Sequence, residues 1–179
     1  RPPNPCEGMA LIGLNKQDSL GYFSPRAQPD WMILNRISQG ETSDSILCLE
    51  AREDLLFAGT LVHGLWQNSC KNNVQSWEGW KKVAEAQIDE GVSVLALSYH
   101  RDTLFVGTTA GLFSLQWPVP AAGLIWEPIL PDKSGGPVAA PLISSVRATD
   151  SHLLVGTSEH GLWVRARDGD IWHNHPIDF

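Results

Sequence analysis

Three near-copies of one motif, a regular spacing between them, and short apolar runs cut by Gly, Asp and Pro predict an all-β chain built as a β-propeller. The copies are DLLFAGTLVHGLW from Asp54, DTLFVGTTAGLF from Asp102 and DSHLLVGTSEHGLW from Asp150, and a weaker one, ALIGLNKQDSLGYF, starts at Ala10. Their aligned glycines, Gly13, Gly59, Gly107 and Gly156, are separated by 46, 48 and 49 residues. That period falls within the ~40–50 residues of a propeller blade. A helical solenoid has a similar period, but these runs are β-branched, aromatic and too short for it.

Each unit reads as four strands. Strand A is SILCLE from Ser45, SVLALS from Ser93 and LISSVR from Leu142. An Asp-bearing turn follows, since a carboxylate there can hold nearby backbone N–H groups. Strand B is LLFAGT, TLFVGT or HLLVGT, an almost unbroken apolar run of the kind covered on both faces. Gly64-Leu65-Trp66, Gly111-Leu112-Phe113 and Gly161-Leu162-Trp163 open strand C, and strand D carries Trp31, Trp77 or Trp80, Trp126 and Trp172. Cys48, Ala96 and Ser145 each lie 11 residues before their unit's glycine, where a small side chain lets inner strands approach. Glycine inside strand B marks a close backbone approach or a bulge. The aromatic after Gly-Leu is expected to fill the gap between blades. The stretch Trp80–Glu90 could make a few helical turns, but reads as strand D and a loop. Pro118–Pro141 reads as two exposed loops around a strand D at Ile125–Leu130.

The expected architecture is three complete four-stranded blades plus one incomplete N-terminal blade. A Pro-rich segment, 1–8, comes first, and the blades occupy about 9–40, 41–90, 91–140 and 141–179. Each complete strand A begins about 13 residues before its glycine, a position that Gly13 does not have within this sequence. The first blade is therefore expected to hold strands B, C and D, for 15 strands in all, and the chain to close no ring alone. A second copy, another chain or further blades of a longer polypeptide would complete a ring of about seven or eight blades.

Formal net charge is −7, with 42% apolar and 18% charged residues, which argues for a packed core and against a phosphate-tracking groove. The basic islands Lys81-Lys82 and Arg165/Arg167 read as solvated faces, and nucleic acid is not expected as a partner. No apolar run approaches the ~20 residues that cross a bilayer. Cys6, Cys48 and Cys70 form an odd, sparse set without CxxC spacing, so neither a disulfide framework nor a zinc site is expected, and a reducing compartment is favoured.

The motif LFVGT-x-x-GL[FW] resembles the blades of the two-component-regulator and BNR-like propeller superfamily, over roughly residues 9 to 175. The resemblance implies propeller architecture and leaves activity open, because propellers host sensors, lectins, glycosidases and scaffolds. The nearest match to a BNR Asp-box, Asp168-Gly169-Asp170-Ile171-Trp172, has its Asp next to the Gly and lacks the Ser and Thr. Tyr22 and Tyr99, the only tyrosines, show no Asp/Glu–Arg setting in sequence.

His63 and His160 hold equivalent places in the B–C turns. They could ring one mouth of the propeller, but Ala110 stands there in the third blade, which favours a simple turn role. His173 and His175 share one side of a strand, without a visible third metal ligand. Asp54, Asp102 and Asp150 recur in register, which a repeat-wide structural task explains. Glu50, Glu53, Asp89 and Glu90 cluster only along the chain. No GxSxG, Walker, HExxH or GxGxxG pattern occurs, and Gly135-Gly136 reads as a loop. Trp66, Trp163 and the strand-D tryptophans could stack on sugars, but their register favours packing between blades. The expectation is a non-catalytic interaction or assembly scaffold, with no catalytic, cofactor or metal residue. Its partner would be another protein chain or a second copy. The alternative is a glycan- or small-ligand-binding lectin or sensor, and a glycoside hydrolase comes third.

Overall fold

The computed structural model describes residues 10–14, 19–23, 32–35, 37–39, 42–69, 79–83, 88, 91–117, 124–127 and 141–176. The expectations for the segment 1–8, for Cys6, Cys70, Trp31, Trp77, Asp89, Glu90 and Gly135-Gly136, and for most of the loops between 118 and 141 lie outside them.

The described residues are all-β, without a helical segment, and no helix long and apolar enough to cross a membrane occurs among them. Blade 1 is the three-stranded sheet β1(Ala10–Leu14), β2(Ser19–Phe23), β3(Met32–Asn35). Blade 2 is β6(Ile46–Arg52), β7(Leu55–Thr60), β8(Leu65–Ser69), β9(Lys81–Lys82). Blade 3 is β10(Val94–His100), β11(Thr103–Thr108), β12(Gly111–Gln116), β13(Leu124–Glu127), and blade 4 is β14(Ile143–Ala148), β15(His152–Thr157), β16(Leu162–Ala166), β17(Trp172–His175). Every pairing is antiparallel and each sheet runs in chain order. The three-stranded first sheet and the three four-stranded ones match the sequence expectation. A separate hairpin, β4(Ile37–Gln39) and β5(Thr42–Asp44), raises the total among the described residues to 17 strands where 15 were expected. Strand D of blade 3 is described over Leu124–Glu127, and the rest of its expected range, 128–130, lies outside the described residues.

The inner strands lie side by side, β6 against β10 and β10 against β14, and β1 packs against β6. Strand β1 meets β6 as β7 meets β10 and β11 meets β14, so β1 holds the place of a second strand. The four sheets form an open series that does not close into a ring.

The repeated motif has a physical task at each position. The threonine after the glycine ties its hydroxyl to the carbonyl of the next motif glycine: Thr60 to Gly64 at 2.9 Å, Thr108 to Gly111 at 2.8 Å and Thr157 to Gly161 at 2.9 Å. Gly64, Gly111 and Gly161 have φ of +80°, +117° and +73°, a region that glycine enters without steric cost. Leu65 and Leu112 enter the seam toward the next sheet, and Trp163 enters the seam toward the preceding one. Phe57 and Leu65 of blade 2 pack with Val94, Leu97, Leu104 and Val106 of blade 3. Phe105 and Leu112 of blade 3 pack with Ile143, Leu153, Val155 and Trp163 of blade 4.

Candidate functional site

The strand-B glycines show how one blade receives the next. A Cβ on Gly59 would collide with Val94 of blade 3, and a Cβ on Gly107 would come 2.6 Å from Cγ2 of Ile143 in blade 4. Each glycine is thus a notch filled by the β-branched residue that opens the following inner strand. A register shift follows each of these residues, between Val94 and Ala96 and between Ile143 and Ser145. At Gly156 the heavy atoms nearest to the same position belong to Ser144 and Ser145 of its own blade. The notch is built in blade 4, and no described residue of another blade fills it.

A hydrogen-bond relay repeats along the inner strands in the same way. Glu50 Oε1 of β6 accepts the backbone N–H of Tyr99 at 2.7 Å, and Ser98 Oγ of β10 accepts the backbone N–H of Ala148 at 3.0 Å. Both acceptors stand two residues beyond the residue paired to the notch glycine (Cys48 with Gly59, Ala96 with Gly107). The equivalent residue in β14 is Arg147, two beyond Ser145, and it is exposed. A guanidinium has donors only, so the face that continues the series offers a cation to a carbonyl or carboxylate.

Burial separates this face from its counterparts. Phe105 and Leu112, which blade 3 presents to blade 4, are 6% and 1% exposed. Their counterparts in blade 4 are Leu154 and Leu162, both partly exposed. Leu153, Val155 and Trp163 face blade 3, so strand alternation turns Leu154, Gly156, Leu162 and Val164 to the other side. His173 and His175 pair with Val164 and Leu162 in the β16–β17 register and join that side, where both are exposed. The candidate site is this open face, an apolar middle with Arg147 at the inner edge and two histidines at the outer one.

The other residues singled out in sequence take structural places. His63 Nδ1 lies 2.9 Å from Oδ2 of Asp44, a carboxylate that is 4% exposed and also accepts the backbone N–H of Val62 and of His63 at 3.0 and 2.6 Å. Burial pushes the Asp44 carboxyl up, but the Thr60 and His63 hydrogen bonds outweigh it and hold the pKa below its usual value. The sequence reading missed Asp44, which stands at the end of the unforeseen hairpin. His160 sits in an exposed turn. Asp150, fully exposed, bridges to Arg101 at 3.2 Å and to His100 at 3.1 Å, and the Arg101 hydrogen bond leads in drawing its pKa down. Lys81 and Lys82 are exposed. Arg165 and Arg167 are a correction: they line the seam between blades 3 and 4 instead of a solvated face. Strand alternation puts Arg165 on the side of β16 that holds Trp163, and Arg167 stands just beyond the end of that strand.

Tyr99 does meet a carboxylate and a cation in space, with Arg52 4.8 Å from its ring centroid. Glu50, however, takes the backbone N–H of Tyr99, and burial raises the phenol pKa, opposite to what a nucleophile needs. Burial also raises the Glu50 carboxyl, against the Tyr99 N–H and the charge of Arg147. Trp163, 5% exposed, is a packing residue of the blade 3–blade 4 seam. Among the described residues no group of three potential metal ligands occurs.

No protein-family model and no curated protein matches the sequence. Solved structures do match in fold. A chain of the mitotic checkpoint complex superposes with TM-score 0.62 at 10% identity, over 92% of this chain and 46% of that one. The extracellular domain of a putative hybrid two-component system, BT4673 from B. thetaiotaomicron, gives TM-score 0.59 at 18% identity, over 97% of this chain and 22% of that one. A chain of the COPII outer coat vertex gives TM-score 0.59 at 13% identity, over 93% and 46%. This chain therefore spans less than half the length of each of these three. At such identities the likeness concerns the fold, and it is of the propeller type.

Proposed function

We propose that the chain is a non-catalytic propeller module whose fourth blade receives a further blade, from another protein chain, a second copy or a longer form of the same polypeptide. The observation that carries this is the notch at Gly156, which repeats the arrangement that Val94 and Ile143 fill at Gly59 and Gly107. The apolar face around it continues an interface used twice inside the chain. Two of the structural neighbours come, by name, from multi-chain assemblies, the mitotic checkpoint complex and the COPII coat. The LFVGT-x-x-GL[FW] motif adds the narrower reading that the blades are of the two-component-regulator and BNR-like kind. Native mass measurement across micromolar concentrations tests the proposal with the pure chain and with candidate partner chains. A complex lost in Gly156→Val while the fold survives supports it, and a folded monomer that captures no blade-bearing chain contradicts it. The non-catalytic part fails if pure protein turns over a glycoside and one Asp or Glu substitution abolishes the turnover.

A further inference from the structure

The two internal seams differ at their outer ends. Between blades 2 and 3, Leu115 and Trp117 project from blade 3 toward Phe57, with the Trp117 ring edge-on at 5.3 Å between centroids, and Leu115 is fully buried. Counted from the motif glycine, Gly111 or Gly161, the same two positions in blade 4 are Arg165 and Arg167. Two apolar plugs are replaced by two guanidinium groups, and a cavity of about 260 Å³ remains between blades 3 and 4. Its floor is Phe105 and Leu153, both buried, and Thr103 and Gln116 add hydrogen-bonding groups beside the two arginines.

Both arginines are held in place from outside the cavity. The guanidinium of Arg165 lies 4.9 Å from the Trp172 ring centroid. That of Arg167 donates to the carbonyls of Thr149 and His100 at 3.3 and 3.5 Å. A guanidinium carries five N–H donors in a planar fork suited to a carboxylate, so the two carbonyl contacts of Arg167 leave donors on that residue for a ligand. An apolar floor with a few convergent polar groups is the usual composition of a small-molecule site, and the volume here suits only a small ligand.

We propose that this interblade cavity binds a small organic carboxylate, its apolar body on Phe105 and Leu153 and its anionic end between Arg165 and Arg167. The site is separate from the open face of blade 4 and does not depend on assembly there. Phenylacetate is the probe, followed by amide chemical shifts and calorimetry on the full chain, with inorganic phosphate measured in parallel. Saturable binding that shifts Thr103, Phe105 and Gln116 is expected. It should weaken at least roughly tenfold in Arg165→Gln/Arg167→Gln and vanish in Arg165→Leu/Arg167→Trp, which installs the residues of the filled seam. The Gln pair keeps the test open if the larger change impairs folding. Absence of saturable binding up to about 10 mM overturns the assignment. Binding that survives both variants also overturns it, as does phosphate binding as tightly as phenylacetate at the same residues.

Discussion

The seam between blades 2 and 3 is filled from its inner to its outer edge, whereas the seam between blades 3 and 4 is filled only in its inner part. Both use the same devices near the axis, a β-branched residue in a glycine notch and a side chain that accepts the next blade's N–H. They part at two positions, Leu115/Trp117 against Arg165/Arg167, where one seam closes on Phe57 and the other keeps a cavity. The repeat thus separates its tasks. The inner part of each blade specifies how blades stack, and the outer part can change chemistry without disturbing the stack. The outer face of blade 4 extends the lesson, because it has the notch and the apolar middle but no described occupant.

The largest expected effect tests whether the second seam is a true core despite its cavity. Trp163→Ala should lower stability by about 3–5 kcal/mol, as for other large-to-small core changes, read as a shift of the denaturant midpoint. A near-zero change would make Trp163 a surface platform instead. Next, Gly107→Val should cost about 1–3 kcal/mol more than Gly156→Val, because a side chain at Gly107 must displace Ile143 and overpack a filled seam. At Gly156 a side chain meets the Ser145 hydroxyl of its own blade, which can turn aside, so equal costs would remove the distinction between a notch filled by the next blade and one that is not. Converting one seam into the other with Arg165→Leu/Arg167→Trp should change stability by no more than about 1 kcal/mol, since the gain from apolar burial is offset by the lost Arg167 hydrogen bonds and the lost Arg165–Trp172 contact.

The smallest effect concerns the relay at the first seam. Glu50 has its pKa raised by burial, so the folded state holds that proton more tightly than the unfolded one. Its contribution is most favourable below the unfolded value near 4.5 and is lost as pH rises through the folded value. Glu50→Gln keeps an acceptor for the Tyr99 N–H, and should flatten that part of the stability–pH curve while matching wild type at low pH. Asp44 works in the opposite sense. Its lowered pKa stabilises the fold above about 3.8 and the benefit fades as pH falls through the folded value, a loss that Asp44→Asn should remove.

Much of the architecture was legible in the sequence because the repeat constrains every copy alike. The strand-B glycines had to mark close approaches, and Gly59 and Gly107 do. The threonine and second glycine close each turn in three copies. What sequence could not show is which residues of different copies meet. Glu50 and Tyr99 are 49 positions apart, Ser98 and Ala148 50, and no local pattern announces a side chain that accepts from the next blade. Arg165 and Arg167 carry charge on alternate residues, the mark of a solvated strand face, and only the position of blade 3 turns that face inward. Asp44 was missed for a related reason, since its donors Val62 and His63 lie 18 and 19 residues away beyond the β6–β7 hairpin, and the short β4–β5 hairpin that carries it has no apolar pattern.

Hydrogen exchange followed as a function of protein concentration, and again with a blade-bearing partner chain added, addresses the open face most directly. If blade 4 receives a further blade, amides in β14 and β15 gain protection as the complex forms, while those of β11, already covered, stay unchanged. The gain disappears in Gly156→Val. Exchange in β14 and β15 that is the same alone, concentrated and with every blade-bearing chain supplied would contradict the account.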